Sequence, residues 1–334
     1  MIHPGLINAH DHLYRNHYRR LGSPPYANAY EWGEDIHARH RDDIERLRKL
    51  PRTDALLFSA LRNLLGAVTT VVHHDQWTHQ LGGDFPVRVV RIRVAHSLKL
   101  EPDLPRAVTG SVSTRGRPFS MHLAEGTDPS SAAEVEEADR RGLLHREMLA
   151  VHVVGANRDG IERIRRAGAA VVWCPTSNLF LFGRTAPPEL LRPGVDVLLG
   201  TDSLLTAAGT MLAELREARR LARLDDQRLR DAVGTVAARR LRVESPDVSP
   251  GAPADLAVLR KPLFEARPAD VALVLVNGRP RLADEDLQDL FSSCRLPFET
   301  LDVGGVRKVV CPPLASVAGR VFELSPECRR ILTS

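Results

Sequence analysis

The sequence predicts an α/β fold in which parallel strands and helices alternate through a (β/α)8 barrel, followed by a β-rich appendage. Two observations carry this expectation. Short β-branched runs alternate with amphipathic stretches up to about residue 245, and strands spaced in this way are joined in parallel by helical crossovers. Eight such units close into a barrel. A proline- and glycine-rich break, SPDVSPGAP, then changes the pattern to ADLAVLR and ADVALVLVNGRPR, which read as paired strands. The length of 334 residues fits one large domain of ~250 residues plus an appendage. The expected division is 4–245 for the barrel and 246–334 for the β-rich remainder.

Each element has its own signal. GLINAH (5–10) reads as a strand, and DALLFSALRNLLG (54–66) as a helix ended by Gly66. VTTVVHH (68–74) is a second strand, and VRVVRIRVAH (87–96) is one long strand or two short ones. PFSMHLAE (118–125) follows, then a helix over 131–143 and a strand at MLAVHVV (148–154). RDGIERIRRAG (158–168) leads as a helix into the strands AAVVWC (169–174) and VDVLLGTD (195–202). Two helices near 207–222 and 225–241 complete the region. Seven strands are clear, and an eighth arises if 87–98 is split. Residues 281–334 show no clear periodicity.

Composition narrows the function classes. Apolar residues make up 43% and charged residues 26%, which excludes a disordered or fibrous chain. No apolar run approaches ~18 residues, so no membrane partner is expected. MIHPGLINAH lacks a basic segment before an apolar run, so no export signal is read. Cys174, Cys294, Cys311 and Cys328 form neither a CxxC pair nor a disulfide framework, which points to a cytoplasmic setting. The net charge of +4 is spread over stretches such as ELREARRLARLDDQRLRD, where arginines alternate with acids. That is a solvated helix face, so no nucleic-acid partner is expected.

The chemistry gathers at strand ends. His10 and His12 flank Asp11, and residues two apart on a strand share one face. Thirteen histidines predict about half an H-x-H by chance, so this pair carries weight only with others. His122 and Glu125 in HLAE, His152 in LAVHVV and Asp202 in LLGTDS each stand where a parallel strand runs out. Each alone reads equally as a core histidine or a capping aspartate. Four strand ends delivering metal-competent side chains form a set, and barrel enzymes build their sites at this rim. Three neutral imidazoles and a carboxylate suit one divalent ion per chain, Zn²⁺ or Fe²⁺, with a position left for water. Such an ion lowers the pKa of bound water toward ~7. Glu125 lies three residues beyond His122, where a turn brings its carboxyl over the same water as a proton carrier.

These segments together resemble a family. PGLINAHDHL, MHLAEG, LAVHVVGAN, VVWCPTSNLFLFG and LLGTDSLL are similar, in order, to the signatures of the amidohydrolase superfamily. The branch resembled holds cytosine, guanine and S-adenosylhomocysteine deaminases and the triazine hydrolases. GAPADLAVLRKP and VALVLVNGRPR resemble that family's return into a small β-sandwich. The resemblance implies a distorted (β/α)8 barrel with one divalent metal. His10, His12, His122 and Asp202 match its ligands, Glu125 its proton shuttle, and His152 the histidine that touches water or substrate.

The chain departs from the family pattern in places. It starts almost at the HxH strand, so the sandwich strands that normally precede it are expected to be missing. Residues 281–334 or a second subunit would replace them, which leaves a homo-oligomer open. The sandwich is therefore expected to be reduced or rearranged. Lys99 lies near the point where dinuclear members carry a bridging lysine, although HLAE favours one metal. Further candidates for contact with a small-molecule substrate are His96, Arg15, His17 and Trp77. Asn178 is a candidate for substrate contact or for bracing the site from behind. The expected activity is hydrolytic deamination of a small, N-heterocyclic substrate by metal-bound hydroxide, with Glu125, His152 and Asp202 as the catalytic residues. Amide, lactam or C–Cl hydrolysis on the same site is the first alternative, and a non-catalytic barrel acting as a binding partner is the second.

Overall fold

The computed structural model describes residues 1–101, 104 and 117–334. β1 (Ile2–Pro4) and β2 (Leu6–Asp11) open the chain, and helices α1 (Ala29–Arg39), α2 (Arg41–Leu47) and α3 (Arg52–Leu65) lead to β3 (Val68–His73). β4 (Arg88–Val90), β5 (Arg93–Ala95) and β6 (Phe119–Leu123) follow. Strand and helix then alternate: α4 (Pro129–Arg140), β7 (Met148–His152), α5 (Arg158–Ala167), β8 (Ala170–Trp173), α6 (Pro175–Phe182) and β9 (Val197–Leu199). Helices α7 (Met211–Arg220), α8 (Asp226–Ala232) and α9 (Thr235–Leu241) end this region.

These strands form two parallel sheets, ordered β2-β3-β4 and β5-β6-β7-β8-β9. The run 87–96 is therefore two strands, because β4 pairs only with β3 and β5 only with β6. β2, β3, β6, β7, β8 and β9 are buried along their whole length. Parallel strands covered on both faces read as near-continuous apolar runs, as β8 and β9 do, while β2, β3, β6 and β7 carry buried polar residues within or at the end of theirs. The end of β9 lies against the end of β2, where Thr201 and Asp202 N–H groups donate to the His10 carbonyl at 2.9 and 3.0 Å.

Local chemistry sets the helix boundaries. α4 begins earlier than 131 because Asp128 caps it, accepting from the Ser131 N–H, and Pro129 fits the first turn. α5 runs from the Asn157 cap to Gly168, whose φ of 66° supplies the left-handed stop. The single helix expected over 225–241 is two, since Gly234 breaks it. The break leaves the Val233 carbonyl free to accept the Ile7 N–H of β2 at 2.8 Å.

The remaining chain forms one antiparallel sheet ordered β1-β10-β11-β12-β14-β13, with β10 (Leu256–Leu259), β11 (Val271–Val276), β12 (Arg279–Asp284), β13 (Glu299–Val303) and β14 (Val306–Val310). The first strand of the chain takes one edge: Ile2, His3 and Pro4 pair with Val258, Ala257 and Leu256. Residues 281–334 are more regular than their sequence reads. Gly304 and Gly305, both at positive φ, close a two-residue hairpin between β13 and β14. A short helix α10 (Asp289–Ser293) precedes the hairpin, and α11 (Leu314–Leu324) follows it. α11 packs on α3, with the Phe58 and Phe322 ring centroids 5.8 Å apart. The 3-10 turns of Pro326–Leu332 then bring Arg330 to the Leu204 carbonyl beside the Asp202 loop. No helix among the described residues is long and apolar enough to cross a membrane.

Candidate active site

The C-terminal ends of β2 and β6, and the loop that leaves β9, meet at one cavity of about 960 Å³ that His12, His122, Glu125 and Asp202 line. His10, His12 and His122 each offer a nitrogen within 4.8 Å of the others, a group that could hold a metal ion. Asp202 Oδ1 stands 3.8 Å from the Nε2 atoms of both His10 and His12. Glu125, His122 and His152 make a second group of the same spacing. The structure thus brings together the six strand-end residues singled out in the sequence.

The approach has a steric condition. A Cβ on Gly200 would lie 2.6 Å from His10 Cβ and 3.0 Å from Cys174 Sγ, so only glycine lets β9 pass this close to β2. Beyond the strands the backbone turns sharply. Ala124, His152, Val153 and Asp202 all have φ between 50° and 71°. The left-handed region is unfavourable for such residues, for branched Val153 above all, and surrounding packing must hold it. The turns at Ala124 and Asp202 aim Glu125 and the Asp202 carboxylate inward.

Hydrogen bonds orient each ring. His12 Nδ1 donates to Asp75 Oδ2 at 2.7 Å, and His122 Nδ1 donates to the His96 carbonyl at 2.8 Å. His152 Nδ1 donates to Asn178 Oδ1 at 2.8 Å. In each case Nε2 is the nitrogen left for the site. Both nitrogens of His10 and Nε2 of His152 are buried without a hydrogen-bond partner. Unpaired buried imidazole nitrogen is costly unless something else occupies it.

The electrostatics sort the groups. Burial and the neighbouring rings hold His10 and His122 well below the ordinary histidine range, so both are neutral and able to donate a lone pair. Burial, with the Asp202 and Glu134 carboxylates nearby, pushes Glu125 well above the carboxylate range. Burial also acts against ionised Asp202, but His152, His12 and hydrogen bonds from Ser177 and the Ser203 N–H keep it low. Two carboxyl groups in one site are therefore driven apart, the pattern expected of an acid and base pair.

Other sequence candidates fall in different places. Arg15, His17 and His96 line the cavity. His17 is 5% exposed and neither ring nitrogen has a partner. Trp77 does not line it: its ring packs against the core, with Arg91 over the ring at 5.6 Å. Asn178 is fully buried behind His152 and braces that ring instead of meeting the cavity. Lys99 rests on the face of Tyr30, its ammonium 4.5 Å from the ring centroid. Sequence reasoning missed Asp75, which directly follows His73 and His74 at the end of VTTVVHH. His74 underlies the site, its ring 4.3 Å from His122 and its Nε2 donating to the Ala95 carbonyl.

With this geometry in place, the comparisons are informative. No family model matches the chain. The chain is similar to deaminases of the amidohydrolase superfamily. A 5-methylthioadenosine/S-adenosylhomocysteine deaminase of Pyrococcus furiosus is 30% identical over 205 residues, covering 50% of this chain and 47% of the relative. One from Moorella thermoacetica is 25% identical over 360 residues, covering 86% and 83%. An aminodeoxyfutalosine deaminase of Deinococcus radiodurans is 38% identical over 89 residues, 26% of this chain and 21% of the relative. The chain spans only 27% to 58% of the length of the first four relatives it matches. Among solved structures, a zinc-bound adenosine deaminase from Xanthomonas campestris superposes with a TM-score of 0.72 at 17% identity, covering 98% of this chain and 86% of that one. A zinc complex of atrazine chlorohydrolase from Arthrobacter aurescens gives 0.66 at 19% identity, covering 88% and 87%. The chain shares their α/β fold.

Proposed function

We propose that this protein is a metal-dependent hydrolytic deaminase of a small aminated heterocycle. The observation that supports it best is the meeting of His10, His12, His122 and Asp202 beneath one cavity with Glu125 over the same point. Two finer readings of the fold go with it. The two parallel sheets are the arcs of a distorted (β/α)8 barrel, supported by the hydrogen bonds between the ends of β9 and β2. The antiparallel sheet is a rearranged sandwich, so residues 4–245 are the catalytic unit and 246–334 the appendage, joined by β1.

The donor set fits one zinc or ferrous ion. Three imidazoles, those of His10 and His122 held neutral, and one ionised carboxylate are the right types, and the unpartnered Nε2 of His10 calls for an occupant. When bound, that ion is a Lewis acid that makes water a nucleophile at neutral pH.

The chain's own groups do the rest. Asp202, held ionised, accepts a proton from the attacking water. Glu125, whose burial favours the protonated carboxyl, donates a proton to the ring nitrogen of the substrate. His152 Nε2, unprotonated in the tautomer that Asn178 fixes and 3.4 Å from Glu125 Oε1, accepts a hydrogen bond from the attacking water and holds it toward the carbon. Asp202 passes its proton to the amine as ammonia leaves, and the hydroxyl of the tetrahedral species returns its proton to Glu125 as the C=O bond forms. His17, Arg15 and His96, on the cavity wall, contact the rest of the substrate. The names of the relatives support an aminated purine nucleoside as the first substrate to try. The free thiols of Cys174, Cys294, Cys311 and Cys328 support a cytoplasmic setting.

Ammonia release from a panel of aminated purines, pyrimidines and triazines tests the reading. Deamination of at least one member is expected. Chloride release or amide cleavage with no ammonia from any member would replace it with the hydrolase alternative.

A further inference from the structure

The middle residue of the HxH motif faces away from the cavity. On a strand, Asp11 points to the side opposite His10 and His12, toward α3. There it meets Arg62, which is 1% exposed within the buried stretch 58–65 of that helix. Arg62 Nη1 donates to Asp11 Oδ1 at 3.2 Å, to Asn16 Oδ1 at 2.7 Å and to the Asp202 carbonyl at 2.7 Å. Its Nε and Nη2 both donate to the Gly209 carbonyl, at 2.8 and 2.6 Å. Asp11 is completed by Asn16 and Asn63, each donating at 2.9 Å, and by Asn8 at 3.4 Å. Asn8 also reaches Thr201, donating to its Oγ1 at 2.9 Å and accepting from its N–H at 3.1 Å.

We infer that Arg62 is a positioning residue: through Asp11 and the Asp202 carbonyl it fixes the spacing between the His10/His12 strand end and the Asp202 carboxylate. Asp202 sits in the left-handed region at φ 53°, a conformation that needs outside support. Arg62 grips its carbonyl directly, and the loop that follows at Gly209. The same guanidinium holds the carboxylate between the two histidines. A planar fork can serve three directions at once, which a lysine ammonium cannot do with the same geometry. The two ligand-bearing strands are not neighbours in sequence, so a side chain from a third element sets their separation.

The inference rests on the reading of His10, His12 and Asp202 as metal ligands. It is tested on the full chain with Arg62→Lys, which keeps the charge, and with the paired Arg62→Met/Asp11→Asn, which removes both buried charges together. Zinc affinity is measured by competition with a chelating dye, folding by circular dichroism and thermal unfolding, and kcat and KM with any substrate the panel identifies. The expected result for a folded variant is zinc binding weakened about ten- to hundredfold, the range for residues that orient ligands. The kcat should fall more than KM rises. A merely structural Arg62 would lower the unfolding temperature and leave zinc affinity within twofold, and that result overturns the inference. Failure of both variants to fold would also overturn it, by showing a role in folding alone. Tight zinc binding by the wild type with no ammonia from any substrate would sink the deaminase reading and leave this one standing.

Discussion

His12 and Asp75 form a directed pair: the imidazole Nδ1 donates to Asp75 Oδ2 at 2.7 Å, which turns Nε2 toward His10 and Asp202. Asp75 Oδ1 also accepts from Arg15 at 3.2 Å, so the carboxylate is anchored from a second side. Burial works against its charge, yet His12 and Arg15 hold it well below the ordinary carboxylate range. It is therefore an acceptor at neutral pH.

That pair leads to the first prediction. Asp75→Ala should fold but bind zinc about ten- to hundredfold more weakly, since an outer carboxylate fixes both the tautomer and the orientation of its histidine. Dye competition measures this. Zinc affinity equal to wild type would mean that His12 is oriented by packing alone.

The division of labour at the site can be tested by exchange of Glu125. Glu125→Gln should retain metal and fold, because the side chain is read as a proton carrier and not a ligand. Turnover should fall by ~10²–10⁴, mostly in kcat. His122→Ala, in contrast, should lose metal and turnover together. Near-full activity in Glu125→Gln would move the proton transfer to another residue.

Metal content is a third test. Protein purified without chelators should carry about one zinc or iron per chain. Stripping it should lower the unfolding temperature, since a ligand held at 100 times its Kd contributes about 2.7 kcal/mol. The Lys99 side chain packs on the face of Tyr30, so no second ion with a modified lysine is expected. Elemental analysis giving two ions per chain would reverse that expectation.

Glu214 gives a pH-dependent prediction away from the reacting groups. It is fully buried, accepts from Thr176 N–H at 3.0 Å, and burial pushes its pKa up from 4.5 to about 7. A carboxyl raised in the folded state favours folding while protonated. Its contribution is complete below about pH 4.5 and is lost as pH climbs to about 7. Glu214→Gln should remove this slope, so that the variant gains on the wild type between pH 5 and pH 8. Unfolding curves across that range with parallel slopes for the two proteins would contradict it.

The C-terminal tail should be structural. Removal of residues 286–334 deletes β13, β14 and α11 and uncovers the apolar sides of β12 and α3. Aggregation is expected. Phe322→Ala, a milder change at a side chain 4% exposed, should cost ~3–5 kcal/mol. A soluble, active truncation would show that the tail is dispensable.

Much of this was legible in the linear chain. Alternation of apolar runs and amphipathic stretches placed the parallel strands, because a strand buried on both faces reads as a near-continuous apolar run. Strand ends carrying His10, His12, His122, Glu125, His152 and Asp202 were visible because polar residues there interrupt those runs. What escaped was set by non-local partners. Arg62 reads as an ordinary helical arginine, and nothing in DALLFSALRNLLG shows that its face is closed by Asp11 and the Asp202 carbonyl. Asp75 had the same ambiguity. The GG turn at 304–305 was a readable hairpin signal that the irregular composition around it obscured.

The sequence by itself determined the order of elements, the chemical types available at each strand end and the strand that each belongs to. Tertiary structure alone decided their distances: that Gly200 lets β9 approach His10, that His152 is backed by Asn178, and that Trp77 turns to the core while His17 faces the cavity. The physical reason is that periodicity reports only which face of an element is buried, a local property. Which buried side chain meets which depends on packing between segments up to a hundred or more residues apart, where a shift of one ångström separates a ligand from a bystander.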